Sequence, residues 1–555
     1  MKTARFVGRI RMLTILCALV ALVIGVRLYV LQVVRADMYI AKADAQFIEP
    51  LEPLMNRNAI YFSNKDESTI LAATLGTGFT LAINPQQITD KEATYEAINN
   101  IVPIDYDGFM ERAGHTESKY IKLKSRLKTD DGIALQEKDI DGVIIEEDRW
   151  RTYPGKSLAS HVLGFVAYNG NKQEGRYGLE RYYEQTLSRS DENLYKNFFV
   201  ELFGEVQDLI EGTPQSGDIV TSIEPSVQAE LERTLEEYDT AWNPRLAGGI
   251  IMDPQTGKIV AMAMYPTFDL NVFNQVEDPR MFGNPLVESV FEMGSIMKPL
   301  TVAAGLDAGV ITPASTYNDA GKLTIDDKTI SNFDGVARGI VPIQEILSQS
   351  LNVGVAWIAQ KLGKERMREY FLDRYKLDEE TGIDLPGEVH GLVGNLTESA
   401  SQVEYATASF GQGIAVSPIE TVRALSILAN GGKLVTPHVV QSIRYDTGMT
   451  RTLAWGEEEV IKPETALEVS RMLTKVVDEA LLKGALKLEH YSIAAKTGTA
   501  QIANPGGGGY YSDRFLHSFF GYFPSFDARF IVFLFAEEPQ GATYASQTLA
   551  DPFSS

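Results

Sequence analysis

Apolar positions along the chain fall into three regimes. Met12 to Val34 is a nearly unbroken apolar run of 23 residues, interrupted only by Thr14, Arg27 and Gln32. A helix of roughly 20 residues spans the hydrocarbon core of a bilayer, so this run predicts one transmembrane helix. From 35 to 243 short strand-like runs (Leu81 to Asn84, Val143 to Ile145) mix with helical spacing, clearest in Val227 to Tyr238. From 244 onward longer strand-like runs frame helical ones. Leu246 to Asp253 and Lys258 to Met264, joined by Pro254 to Gly257, predict a β-hairpin. His517 to Phe523 and Arg529 to Ala536 predict two further strands. Helical spacing lies between, at Pro299 to Asp307, Ile343 to Leu347 and Ile419 to Asn430. Strands and helices are segregated rather than alternating, which predicts a multidomain α+β fold. No internal repeat is present, and Gly506 to Gly509 reads as a flexible loop.

Charge refines this picture. Lys2, Arg5, Arg9 and Arg11 precede the apolar run with no acid among them, so residues 1–11 are expected in the cytoplasm and the bulk outside. A signal-peptide reading is weaker, because Ala43-Asp44-Ala45, which has the form of a cleavage site, lies far beyond the run. A net charge of −23 excludes nucleic acid as a partner. The single cysteine, Cys17, excludes an intrachain disulfide. The histidines at 115, 161, 390, 438, 490 and 517 are scattered, without metal-ligand spacing, so neither a metal nor another cofactor is expected.

Three short motifs carry the candidate chemistry: Ser295-Ile296-Met297-Lys298, Ser350-Leu351-Asn352 and Lys496-Thr497-Gly498. A chain this long shows about two S-x-x-K matches by chance but only roughly 0.1 of K-T-G, so it is the ordered set that carries weight. Ser295 is placed at a helix N-terminus, with Pro299 tolerated in the first turn. Lys298, three residues on, shares its face and is in reach of the Ser295 hydroxyl. A serine needs a base, and a lysine serves when burial or a second cation, here Lys496, lowers its pKa. Ser350 is placed to relay protons to a leaving amine, and Asn352 to hold a peptide backbone. Lys496 to Gln501 reads as an edge strand in which Gly498 permits close approach to Ser295. The backbone N–H groups of Ser295 and Thr499 are the candidate oxyanion hole.

The set resembles the S-x-x-K, S-x-N and K-T-G motifs of penicillin-binding proteins and serine β-lactamases. Residues 294–299, 350–354, 409–418 and 495–501, with Arg151 to Phe165, Gly178 to Tyr183 and Asp253 to Pro266, are similar to class B penicillin-binding proteins. Met293 and Asn58 depart from the pattern, where the family usually has Pro and Gly. The resemblance implies a pedestal of the dimerisation type over 35–243 and a transpeptidase domain over 244–555. The transpeptidase fold it implies is an antiparallel sheet flanked by helices, with an all-helical lobe. It implies a D,D-transpeptidase of cell elongation or division, acting on peptidoglycan stem peptides and acylated by β-lactams. Thr497, Gly498 and Thr499 would bind substrate, with Lys496 and Thr499 at its terminal carboxylate. A membrane glycosyltransferase is the implied partner. Alternatives within the motif set are a β-lactamase or D,D-carboxypeptidase; the alternative outside it is a catalytically idle scaffold. Arg57, Arg151 and Glu180 read as structural ion pairs rather than ligands.

Overall fold

A computed structural model describes residues 55–170, 172–189, 216–397, 401–504, 506 and 508–554. The expected transmembrane run, Met12 to Val34, and part of the glycine loop at 506–509 lie outside the described residues. Among the described residues no helix is long and apolar enough to cross a membrane.

The site is built on a five-stranded, wholly antiparallel sheet. Its strands are β1 (Leu246–Met252), β2 (Ile259–Tyr265), β3 (Ala494–Ala503), β4 (Tyr510–Phe523) and β5 (Phe530–Glu537), in the order β3-β4-β5-β1-β2. The predicted hairpin is β1–β2, and the motif strand β3 is an edge. Strand β4 begins seven residues earlier than the run at His517 to Phe523 indicates, directly after the glycine loop.

Neighbouring residues of a strand face opposite sides of the sheet, and Gly248-Gly249 shows what covers each side. A Cβ on Gly249 would meet Leu534 at 2.7 Å and Leu231 at 2.9 Å; one on Gly248 would meet Met264 Sδ at 2.4 Å and Phe535 at 2.8 Å. Leu231 belongs to helix Pro225–Trp242, which starts with Pro225 in its first turn and is capped by the Glu224 side chain on Val227 N–H at 2.8 Å. On the other face Phe535 packs against Phe291, three residues before the nucleophile turn. Helices Lys298–Asp307, Pro418–Ala429 and Pro463–Lys475 pack on that side and carry much of the apolar core.

Strands of the first half of the described chain form a second sheet. Strand Thr69–Ile83 pairs with Ile60–Ser63, Ile121–Leu127 and Val143–Thr152. The runs at Leu81 and Val143 are thus segments of much longer strands. Ile60–Ser63 pairs in parallel with Gly217–Thr221, which pairs with Val440–Tyr445 and through it Thr450–Thr452. A hairpin from the second half of the chain therefore extends a sheet begun in the first. A separate small core of Leu81, Ile83, Ile98, Phe109 and Leu127 closes the far end of the long strand.

Candidate active site

Gly294–Met297 forms a single 3₁₀ turn leading into helix Lys298–Asp307, so Ser295 stands one turn before the α-helix proper. Gly294 has φ of +65°, and a Cβ there would lie 3.1 Å from Thr499 O. Glycine is what lets the turn lie against the motif strand. The turn is also tied to the 409–418 segment by Gly294 N–H donating to Gly411 O at 3.1 Å.

Lys298 is fully buried, and its amine lies 2.6 Å from Ser350 O and 3.0 Å from Ser350 Oγ. The amine that the spacing brings within reach of Ser295 Oγ makes its hydrogen bonds to Ser350, and Ser295 Oγ bonds no described residue. Burial first, and then the nearby Lys496 charge, push the Lys298 pKa well below the ordinary lysine range. Ser350 sits between helices Gln344–Ser348 and Asn352–Arg368 with φ of +54°. Asn352 opens the second helix, and its amide N–H donates to Ser331 O at 3.0 Å. Its carbonyl oxygen carries no bond to a described residue.

On strand β3, Thr497, Thr499 and Gln501 share the face that lines the cleft, while Lys496, Gly498 and Ala500 turn toward the core. Lys496 is 3% exposed and donates to Thr497 O at 2.9 Å; burial lowers its pKa to about 8. The resemblance implies Lys496 at the substrate's carboxylate; the strand's pleat sets it beneath the cleft floor, near enough to Lys298 to act on it as the second cation. A Cβ at Gly498 would stand 2.4 Å from Ser518 Oγ, 2.8 Å from Met293 O and 3.0 Å from Ile296 Cγ2. The close approach expected of Gly498 is therefore to the nucleophile turn itself. Met293, where the family usually has Pro, is buried, and its carbonyl accepts the Ser518 hydroxyl at 3.1 Å.

A cleft of about 720 Å³ brings together Ser295, Ser350, Asn352, Thr497 and Thr499. Its remaining walls include Phe410 and Gln412 of the 409–418 segment and residues no motif indicated: Phe333 and, from the segment after β5, Thr543 and Tyr544. The Phe333 and Tyr544 rings meet edge to face at 6.1 Å. Glu292, just before the turn, accepts the Tyr510 hydroxyl at 3.0 Å. Among the described residues no group of His, Cys, Asp and Glu has the spacing to hold a metal ion.

A serine one turn from a buried lysine whose pKa burial lowers, with a second buried lysine and a hydroxyl between helices, defines a serine acyl-transfer site. Residues 247–555 match the penicillin binding protein transpeptidase domain, and residues 57–219 the penicillin-binding protein dimerisation domain. The chain belongs to the penicillin-binding protein transpeptidase family. It is 28% identical to stage V sporulation protein D of Bacillus subtilis over 575 aligned residues, covering all of this chain and 85% of that protein. It is 27% identical to a probable peptidoglycan D,D-transpeptidase FtsI of Caulobacter vibrioides, covering 83% and 73% of the two chains. Its fold matches penicillin binding protein 2X of Streptococcus thermophilus with a TM-score of 0.74 at 20% identity, over 89% of this chain and 78% of that one.

Proposed function

We propose that the protein is a peptidoglycan D,D-transpeptidase that cross-links stem peptides through an acyl-enzyme on Ser295. The observation that carries this reading is the fully buried Lys298 amine, held on Ser350 one turn from Ser295, with its pKa pushed well below the ordinary lysine range by burial.

Neutral Lys298 takes the Ser295 proton as Oγ attacks the penultimate D-Ala carbonyl. The backbone N–H groups of Ser295 and Thr499 receive the oxyanion. Lys298, through the Ser350 hydroxyl, returns the proton to the amine of the terminal D-Ala, whose peptide bond breaks and leaves the ester on Ser295. An amine of a second stem then attacks that ester, giving its proton back along the same relay as Ser295 is released. Lys496, cationic below about pH 8, supplies positive charge near the donor carboxylate and holds the Lys298 pKa down. Asn352 Oδ1 accepts a backbone N–H of the donor stem.

The apolar run Met12 to Val34 with its basic start supports a single-pass anchor, N-terminus cytoplasmic and catalytic domain outside. A membrane glycosyltransferase that supplies nascent strands is the proposed partner, in cell elongation or division.

Incubation with benzylpenicillin should give one covalent adduct, mapped to Ser295 by peptide mass spectrometry, that persists for many minutes and is absent from Ser295→Ala. Rapid turnover of the drug would assign the site to a β-lactamase instead; label on another serine would remove the assignment of Ser295.

A further inference from the structure

His517 is fully buried on β4 and pairs directly with Thr499 of the motif strand. Directly opposed residues of an antiparallel pair place their side chains on one face, so the imidazole shares the cleft face with the Thr499 hydroxyl. The turn of residues 543–548 covers it, and the ring holds that turn at both ends: Nε2 lies 3.1 Å from Thr543 O and Nδ1 lies 2.8 Å from Thr548 Oγ1. A carbonyl only accepts, so Nε2 carries the hydrogen and Nδ1 accepts from the Thr548 hydroxyl. Burial lowers the His517 pKa to about 4, in keeping with a neutral ring.

The clamped turn reaches back to the site. Ala545 N–H, midway along it, donates to Thr499 Oγ1 at 3.0 Å. A threonine hydroxyl has two acceptor lone pairs and one proton. With one lone pair occupied from the wall side, the O–H is left free to donate to a group in the cleft that Thr499, Thr543 and Tyr544 line together.

We propose that His517 is a positioning residue for substrate recognition: by clamping turn 543–548 it sets the Ala545 N–H that aims the Thr499 hydroxyl at the donor carboxylate. This rests on the transpeptidase reading above. A histidine that merely fills the core lowers every reaction of the enzyme alike, whereas one acting through Thr499 lowers only those that use the carboxylate.

The test compares second-order acylation of the full chain by two thioester donors, an N-acyl-D-alanyl thioglycolate bearing the carboxylate and its neutral methyl ester. His517→Ala is expected to lower the rate with the carboxylate donor about tenfold more than with the ester, the scale of one hydrogen bond to a charged group. Thr499→Val should do the same, and the double variant should lose no more than either single one. Partial recovery of the carboxylate preference is expected in His517→Gln, whose amide offers a donor and an acceptor. Equal losses with both donors, or losses that multiply in the double variant, overturn the proposal. Should His517→Ala fail to fold by circular dichroism, Thr548→Val, which removes one end of the clamp, carries the same comparison. A wild-type enzyme acylated by neither donor would fail the transpeptidase reading itself. One acylated equally by both would overturn the proposal while leaving Ser295 as nucleophile.

Discussion

Two lysines with different duties sit under one cleft, and their chemistry separates them. Lys298 must give up its proton to act as base, and its burial and the neighbouring Lys496 both favour that. Lys496 must keep its proton to act as a charge, and with a pKa of about 8 it loses that charge in mild alkali. Arginine keeps a positive charge but cannot be deprotonated under these conditions. Lys298→Arg should therefore lose about 10²–10⁴-fold in acylation rate, the usual worth of general-base catalysis. Wild type should show an alkaline fall in acylation centred near pH 8 as Lys496 becomes neutral; Lys496→Arg should stay active and lose that fall. Rates with a fluorescent penicillin across neutral and alkaline pH test both. A Lys298→Arg enzyme as fast as wild type, or an unchanged alkaline limb in Lys496→Arg, would contradict the assignment. Ser350 makes a second residue-scale case, because its left-handed φ of +54° disfavours any Cβ. That conformation costs a non-glycine residue about 1–2 kcal/mol, retained here where the carbonyl and hydroxyl meet Lys298. Ser350→Gly should be more stable than Ser350→Ala by about 1 kcal/mol in urea denaturation, with acylation lost in both. Equal stability would remove strain from the account.

At the scale of elements, what was legible in the sequence is what local periodicity encodes. The helix read at Val227 to Tyr238 is Pro225–Trp242, that at Ile419 to Asn430 is Pro418–Ala429, and the hairpin at 246–264 is present. The short strand pair Thr316–Asp319 with Gly339–Pro342, and the hairpin Lys322–Ile325 with Lys328–Ser331 that it encloses, carry no such signal. They matter nonetheless, since Ser331 O and Asn332 Oδ1 hold Asn352 and Val353 N–H. Motif spacing likewise brought the right residues to one cleft but could not give their pairings, which depend on contacts distant in sequence. The Lys298–Ser350 bonds join residues 52 positions apart, and His517, set aside as scattered, gains its neighbours only through the register of β3 on β4. Gly498 is where an element's packing reaches the chemistry. Gly498→Ala has no room against Ser518 Oγ and Met293 O, so the edge strand must shift from the nucleophile turn. A stability loss of about 1–3 kcal/mol is expected, together with acylation at least tenfold slower. Full activity in this variant would mean that the strand and turn are not rigidly coupled.

The whole molecule depends on a charge cluster remote from the cleft. Arg57, near the start of the described chain, and Arg151, at the end of a long strand, both place Nε at 2.6 Å from the fully buried Glu180 carboxylate. Arg57 donates also to Glu180 O at 2.7 Å, Arg151 to Asn58 O at 2.8 Å, and Tyr153 to Glu180 Oε1 at 3.3 Å. One carboxylate thus joins three segments that local sequence leaves independent: the chain before strand Ile60–Ser63, strand Val143–Thr152 and helix Gly178–Tyr182. Burial alone would raise the Glu180 pKa, but Arg151 and Arg57 together outweigh it and hold it below the ordinary value. A carboxylate depressed in the folded state binds fewer protons there than in the unfolded chain. Its stabilisation is complete above about pH 4.3, the ordinary glutamate value, and is lost as pH falls through the folded value. Glu180→Gln leaves the buried Arg151 without its counter-charge and Arg57 with only Glu184, 2.7 Å away, which costs about 3–5 kcal/mol. The variant should accordingly be much less stable than wild type at neutral pH, with the difference narrowing as both are taken to acid. Below its unfolding temperature it should still be acylated at close to the wild-type rate, because none of these residues lines the cleft. Denaturation midpoints at neutral and acid pH, with acylation measured in the cold, test the three statements. A Glu180→Gln protein as stable as wild type at neutral pH would show that the arginines find other partners, and that the cluster does not hold the segments together.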